Sequence, residues 1–139
     1  MSSKPLIFSD AKFPVSIKGV LLAPRSEVLL LMNERDEWEL PGGRIEIGES
    51  PCECLRREIA EELQLKVEVG ALLDGCLFEV IPGKHVFIVI YACTLIGAFA
   101  PALSNEHKRI GLFNTSTLPT NLPSCYRAAI ALHIGKISD

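Results

Sequence analysis

The sequence predicts a mixed α/β fold in a single domain. Three observations carry this reading. Several short runs rich in Val, Ile, Leu and aromatic residues are separated by turns containing Pro, Gly and Ser, the pattern of strands. One segment, Pro51–Leu63, has the apolar period of a helix with a start signal in front of it. A second helical pattern closes the chain, so strands surround a central helix with another helix at the end. With 139 residues, 48% hydrophobic and 22% charged, the chain has the size of one domain, 1–139, and can bury a core.

Pro14 to Ala23 is strand-like, Pro24-Arg25-Ser26 reads as a turn, and Glu27 to Met32 as a second buried strand. This part is expected to form a hairpin. Trp38-Glu39-Leu40 is a short strand closed by Pro41-Gly42-Gly43. After the helix, Lys66 to Ile81 and His85 to Ile96 read as two long strands joined at Pro82-Gly83. Arg109 to Asn114 is another strand, and Ser124 to Gly135 a helix on the pattern Tyr126, Ile130, Ile134 with Ala129 and His133. Val86 to Leu103 is uncharged over a length that could cross a bilayer. Its β-branched residues, with Gly97 and Pro101 near the far end, make it a buried strand followed by a turn, and no membrane is expected.

Charge narrows the function classes. Fourteen basic residues stand against 17 acidic ones, a net charge of −3, and no Lys/Arg run exceeds two. A nucleic-acid polymer is therefore not an expected partner. A phosphate-bearing ligand would have to be attracted by something other than bulk charge, and a metal ion is the natural candidate. The five cysteines, Cys52, Cys54, Cys76, Cys93 and Cys125, are odd in number and lack zinc-site spacing. No apolar run follows Met1-Ser2-Ser3-Lys4-Pro5 to make a signal peptide. Buried, reduced thiols in a cytoplasmic protein are expected.

The central helix is the most informative element. Ser50 is its N-cap, Pro51 its first residue and Glu53 the third residue after the cap, a capping box. Cys52, Leu55, Ile59 and Leu63 fall on one narrow arc, the face expected to pack on a sheet. Glu58, Glu61 and Glu62 fall on a neighbouring arc at spacings i, i+3 and i+4. Like charges there oppose the helix by roughly 0.2–0.5 kcal/mol per pair, and the C-terminal dipole prefers cations. Three carboxylates against both local effects suit either a solvated acidic face or a site for a hard cation with oxygen ligands. The helix by itself leaves both open.

The upstream spacing decides. Gly43, Glu49, Arg57-Glu58, Ile59 and Glu61-Glu62 follow the order Gly-x5-Glu-x7-Arg-Glu-(apolar)-x-Glu-Glu. Six such positions at roughly one in fifteen each match by chance about once in ten million start points. The segment Gly43 to Leu65 resembles the Nudix box of the Nudix hydrolase family, and Trp38 to Gly43 resembles its usual lead-in. The resemblance implies an α/β/α sandwich, a mixed sheet flanked by the box helix and the C-terminal helix. One position departs: Gln64 stands where the family has Gly. That Gly would sit just past the helix end in a left-handed conformation, which costs a non-Gly residue roughly 1–2 kcal/mol. The change bears on stability, since the carboxylates precede it.

The resemblance also implies roles. Glu58, Glu61 and Glu62 match the metal-binding glutamates, and Gly42 the residue whose carbonyl completes the metal shell. Arg57 resembles the arginine that holds the carboxylates, with Glu49 as its partner. The implied cofactor is Mg²⁺, with Mn²⁺ as a substitute, and the implied substrate is a nucleoside diphosphate linked to a further group X. Glu61 or Glu62 can take the proton of the attacking water, and Glu106, in Ser104-Asn105-Glu106-His107, is the candidate from a later loop. Gly43 has its own reason, since without Cβ the backbone can turn sharply and approach a metal.

Trp38 and Phe78 read as core aromatics that could also stack on a base, and His85 as a turn residue. His107 and His133 lack a metal-spaced partner, and Cys52 and Cys54 straddle helix faces. None of these joins the expected site, and no substrate-binding residue is assigned. The alternative to a pyrophosphohydrolase is a non-catalytic Nudix-fold module that binds a nucleotide. It predicts loss of box carboxylates or an added DNA-binding domain, and all four box glutamates are present. A third class, an interaction protein with an acidic helix, is disfavoured by the spacing. The family's subfamily markers would lie near Leu77 to Pro82. They leave nucleoside triphosphates and nucleotide sugars both open, and a homodimer is compatible with either.

Overall fold

The computed structural model describes residues 10–107 and 109–138. The Met1-Ser2-Ser3-Lys4-Pro5 stretch lies outside them. The elements are β1 (Val15–Leu21), β2 (Val28–Met32), β3 (Trp38–Glu39), β4 (Gly42–Arg44), α1 (Pro51–Leu63), β5 (Lys66–Ile81), β6 (Lys84–Ile96), β7 (Arg109–Phe113) and α2 (Ser124–Ser138). They form two sheets, one ordered β4-β1-β6-β5 and the other β3-β2-β7. β1 runs parallel to β6, with Ile17 opposite Val89, and antiparallel to β4. The first sheet is therefore mixed, as expected.

Alternation along β1 and β2 builds the layers. Ile17, Leu21, Leu29 and Leu31 join one core with Leu55, Ile59 and Leu63 of α1. Val20, Val28 and Leu30 join the other with Tyr126, Ala129 and Ile130 of α2. Side chains two apart along a strand share a face, so both strands are buried on both sides. The helices flank the sheets in an α/β/α arrangement.

Four expectations are corrected. β1 and β2 do not pair as a hairpin: an isolated bridge, Leu22 to Val28, links them before each strand enters its own sheet. Gly42–Arg44, read as the close of a turn, is a strand held against β1. On α1 the fully buried cysteine is Cys54, while Cys52 is half-buried, because the helix face in contact with β4 reaches one residue position further round than the apolar arc. Cys76 of β5 and Cys125 of α2, 49 residues apart in sequence, form a disulfide with their Cα atoms 6.5 Å apart. Sequence spacing gives no sign of that pair, which the packing of α2 on β5 creates. Such a bond persists in oxidising surroundings, so the cysteines no longer argue for a reducing compartment.

The uncharged run from Val86 lies in β6, as expected. No helix among the described residues is long and apolar enough to cross a membrane.

Candidate active site

The box helix is fixed at both ends by its own sequence. Ser50 is extended (φ −77°, ψ 161°) and its Oγ accepts from the Glu53 backbone N–H at 3.1 Å. At the other end Gln64 takes φ 54° and ψ 34°, the left-handed conformation, and its N–H donates to the Ala60 carbonyl at 2.9 Å. The expected cap geometry is kept without glycine. With Leu55, Ile59 and Leu63 turned into the core, Glu58 and Glu62 come to face β4.

Glu62 is the most buried carboxylate, with 4% of its side chain exposed. Its Oε1 accepts from the Gly42 backbone N–H at 2.8 Å, and its Oε2 lies 3.4 Å from His107 Nε2. The Gly42 carbonyl, expected to face a metal, accepts from Lys18 Nζ at 3.3 Å. Gly42 has φ +132°, and a Cβ there would overlap the Ile17 carbonyl oxygen. A Cβ on Gly43 would come within 2.5 Å of the Glu58 carboxyl carbon. The pair of glycines lets β4 touch both β1 and the carboxylates. For Gly43 the close approach is to Glu58, and its φ is not positive.

Burial dominates the charge states here. It pushes the Glu62 carboxyl up to about 7, against the pull of Lys18 and the Gly42 amide. Glu58 is raised as well, again by burial, with Arg57 opposing. Burial acts on Glu39 in the same direction, but its bond to His107 and the charge of Lys18 outweigh it and hold Glu39 below its ordinary range. Two carboxyls whose charged forms burial disfavours thus lie together in one corner.

Arg57 organises the exposed side. Its Nε and Nη2 donate to the two oxygens of Glu49 at 2.5 and 2.9 Å. Nη1 donates to Glu58 at 3.0 Å and to Glu61 at 3.3 Å. The bidentate pair holds Glu49 down at about 2, chiefly through the Arg57 hydrogen bonds.

Glu58, Glu62, Glu106 and the Gly42–Gly43 backbone line one open cavity of about 500 Å³, together with Glu34, Glu39, Arg44 and His107. Glu61 is outside that lining, with 61% of its side chain exposed and its carboxylate on Arg57. Among the described residues no group of three or more acidic, His or Cys side chains is gathered tightly enough to grip an ion. The donor set still suits Mg²⁺ or Mn²⁺ in kind, since the carboxylates and backbone carbonyls of the lining are the hard oxygen donors these ions take.

Sequence reasoning missed three residues. Lys18 is buried in the middle of β1. Glu39 of β3 accepts from Asn33 Nδ2 at 3.3 Å and meets His107 Nε2 at 3.0 Å. His107, set aside for lack of a spaced partner, has 7% of its side chain exposed and lies between Glu39 and Glu62. The buried lysine in an apolar strand was the one legible signal, because an unpaired charge is not kept in a core. Across Glu39 lies a second, smaller cavity of about 180 Å³, lined by Trp38, Phe78, Tyr126, Asn33 and Asn121 among others. Trp38 packs edge-on to Phe113 at 4.9 Å between ring centroids, so it is a core aromatic that also walls a cavity.

Comparison with known proteins follows the same line. The family described as NUDIX domain matches residues 12–132. A human protein named 8-oxo-dGDP phosphatase NUDT18 is 41% identical over 62 residues, 42% of this chain and 19% of that protein. An 8-oxo-dGTP diphosphatase of Proteus vulgaris is 35% identical over 57 residues, 41% of this chain and 50% of that protein. The matched segments thus span about a fifth and a half of these relatives. In structure, the MutT protein of Methanosarcina mazei Go1 superposes with a TM-score of 0.76 at 21% identity, over 95% of this chain and 100% of that one. That likeness shows the fold.

Proposed function

The chain belongs to the NUDIX domain family, and from that premise we propose that it is a pyrophosphohydrolase acting on a nucleoside diphosphate linked to a further group. One observation carries the reading: an acidic cavity built on Glu58, Glu62 and Glu106 shares Glu39 with a slot walled by aromatic rings and two amides. The first suits a cation-bound pyrophosphate and the second a base, side by side as they are in a nucleotide. The two relatives are named for 8-oxo-dGDP and 8-oxo-dGTP, which favours a purine nucleoside di- or triphosphate over a nucleotide sugar.

The chemistry that Mg²⁺ or Mn²⁺ supplies when bound is neutralisation of the pyrophosphate and acidification of a water. Glu58 and Glu62 are the side chains we assign to hold it, with a backbone carbonyl of Gly42 or Gly43. Glu61 is assigned an outer position, on Arg57. Arg57 orients Glu58 while Glu49 fixes Arg57, so the carboxylates meet the substrate already aligned. Arg44, on the cavity wall, is available to a phosphate oxygen. Glu106 faces the same cavity from the opposite loop and takes the proton of the attacking water.

A panel of nucleoside triphosphates, diphosphates, oxidised purine nucleotides and nucleotide sugars, with Mg²⁺, tests this by phosphate release after coupling to a phosphatase. Hydrolysis of a member, abolished by chelator, is the expected result. Tight nucleotide binding with no turnover on any member would overturn it in favour of a binding module.

A further inference from the structure

We infer that His107 is a positioning residue that holds the loop bearing Glu106 against the candidate active site, an inference that rests on the reading of that site given above. The loop after β6 is described over residues 97–107 and leads toward β7. It is tied to the end of α1 by two backbone bonds, Ala102 N–H to the Leu63 carbonyl at 2.9 Å and Ser104 N–H to the Glu62 carbonyl at 3.0 Å. These satisfy carbonyls that a helix end leaves orphaned. Both bonds precede Glu106, which sits in an exposed turn with its N–H 3.4 Å from Ser104 Oγ. An exposed turn of this kind does not fix a side chain.

The next residue supplies what the turn lacks. His107 puts its imidazole inside, 3.0 Å from Glu39 Oε1 on β3 and 3.4 Å from Glu62 Oε2 on α1. The loop is thereby held to α1 before Glu106 and to β3 and α1 after it. Packing does not account for the choice of residue. The Nδ1 of His107 is buried without a hydrogen-bond partner among the described residues, a cost that an apolar side chain would avoid. What the imidazole supplies and an apolar residue cannot is its contact with the two carboxylates. The same contact leaves Glu62 held on both oxygens, by His107 and by the Gly42 amide. Glu62 keeps the Gly42 amide when His107 is removed, so His107 acts through Glu106.

His107→Ala, His107→Gln, Glu106→Gln and the double variant His107→Ala/Glu106→Gln test this in the full chain. The first readout needs no substrate: amide hydrogen exchange by mass spectrometry. We expect His107→Ala to speed exchange in 102–107 by about tenfold while β1 and β2 stay protected. His107→Gln, whose amide can still donate to a carboxylate, returns most of the protection. On the best substrate with Mg²⁺, His107→Ala lowers kcat by about tenfold or more with little change in KM, and Gln recovers it. In the Glu106→Gln background His107→Ala costs less than about twofold further. Unchanged exchange in 102–107 overturns the inference, as does a double variant whose loss is the product of the single losses. If wild type hydrolyses no nucleotide, the reading of the site fails while the exchange measurement still decides what His107 does.

Discussion

The Glu62 carboxylate and the Gly42 backbone amide, 20 residues apart in the chain, are joined by a 2.8 Å hydrogen bond. This contact fastens the box helix to the strand it faces and draws Glu62 into the interior. Glu61, its neighbour in sequence, stays outside on Arg57. Two adjacent carboxylates therefore sit in different surroundings.

Glu62→Gln keeps an oxygen that can accept from Gly42, so the fold should survive with a melting temperature near that of wild type. Turnover should drop about a hundredfold or more, because the charge meant for a cation is lost. Glu61→Gln should cost at least about tenfold less. Steady-state kinetics at saturating Mg²⁺, beside a thermal melt, checks both. Equal losses would return Glu61 to the inner site.

Activity should require a divalent ion and persist when Mn²⁺ replaces Mg²⁺, as the carboxylate and carbonyl oxygens of the cavity suit both ions. Full turnover in excess chelator would refute the cation mechanism.

Gly43→Ala puts a methyl group into the Glu58 carboxylate. Because that carboxylate is the far end of a flexible side chain, it can swing aside, and stability should change by less than about 1 kcal/mol. Glu58 then leaves the cavity, so the apparent affinity for Mn²⁺ should fall by about tenfold or more. Metal titration followed by calorimetry measures this. A large loss of stability with unchanged metal affinity would contradict it.

Arg57→Lys removes the fork that grips Glu49 and should lower the melting temperature by about 2–4 °C at neutral pH. The pH dependence has a definite sign. Glu49 is held at about 2 in the folded chain, below the usual carboxylate value, so its contribution is present above the unfolded value near 4.3 and fades as pH falls toward 2. The gap between variant and wild type should therefore shrink as pH drops from about 5 to 2. Calorimetric scans at several pH values give the comparison, and a gap that widens in acid would refute it.

Gln64→Gly should stabilise the chain by up to about 1 kcal/mol, because Gln64 pays for a left-handed backbone that glycine adopts freely. Turnover at saturating metal should barely change. A lower melting point would mean that the Gln64 side chain stabilises more than its backbone strain costs.

What the sequence made legible was local. Ser50, Pro51 and Glu53 announce the start of α1, the spacing from Gly43 to Glu62 announces the carboxylates, and the family resemblance of that spacing implies the Arg57–Glu49 pair. Lys18, Glu39 and His107 were not legible as a group. They come from β1, β3 and a loop, and meet through the stacking of layers. The division of β1 and β2 between sheets was hidden for a related reason. Strands buried on both faces show continuous apolar runs, which say nothing about which neighbour each will choose. Gly42–Arg44 reads as a turn because its glycines serve contact with Ile17 and Glu58, a need the local sequence does not reveal.

The Cys76–Cys125 bond makes a covalent ring of everything between those residues, including β6, β7 and the loop with Glu106 and His107. A protease that cuts once inside the ring leaves a single molecule, whose two pieces part under reduction alone. A pull applied at the chain ends passes across the bond and leaves the ring unstretched. The segment that brings the last carboxylate to the cavity thus stays attached after a single cut and is spared tension for as long as the two sulfurs stay joined.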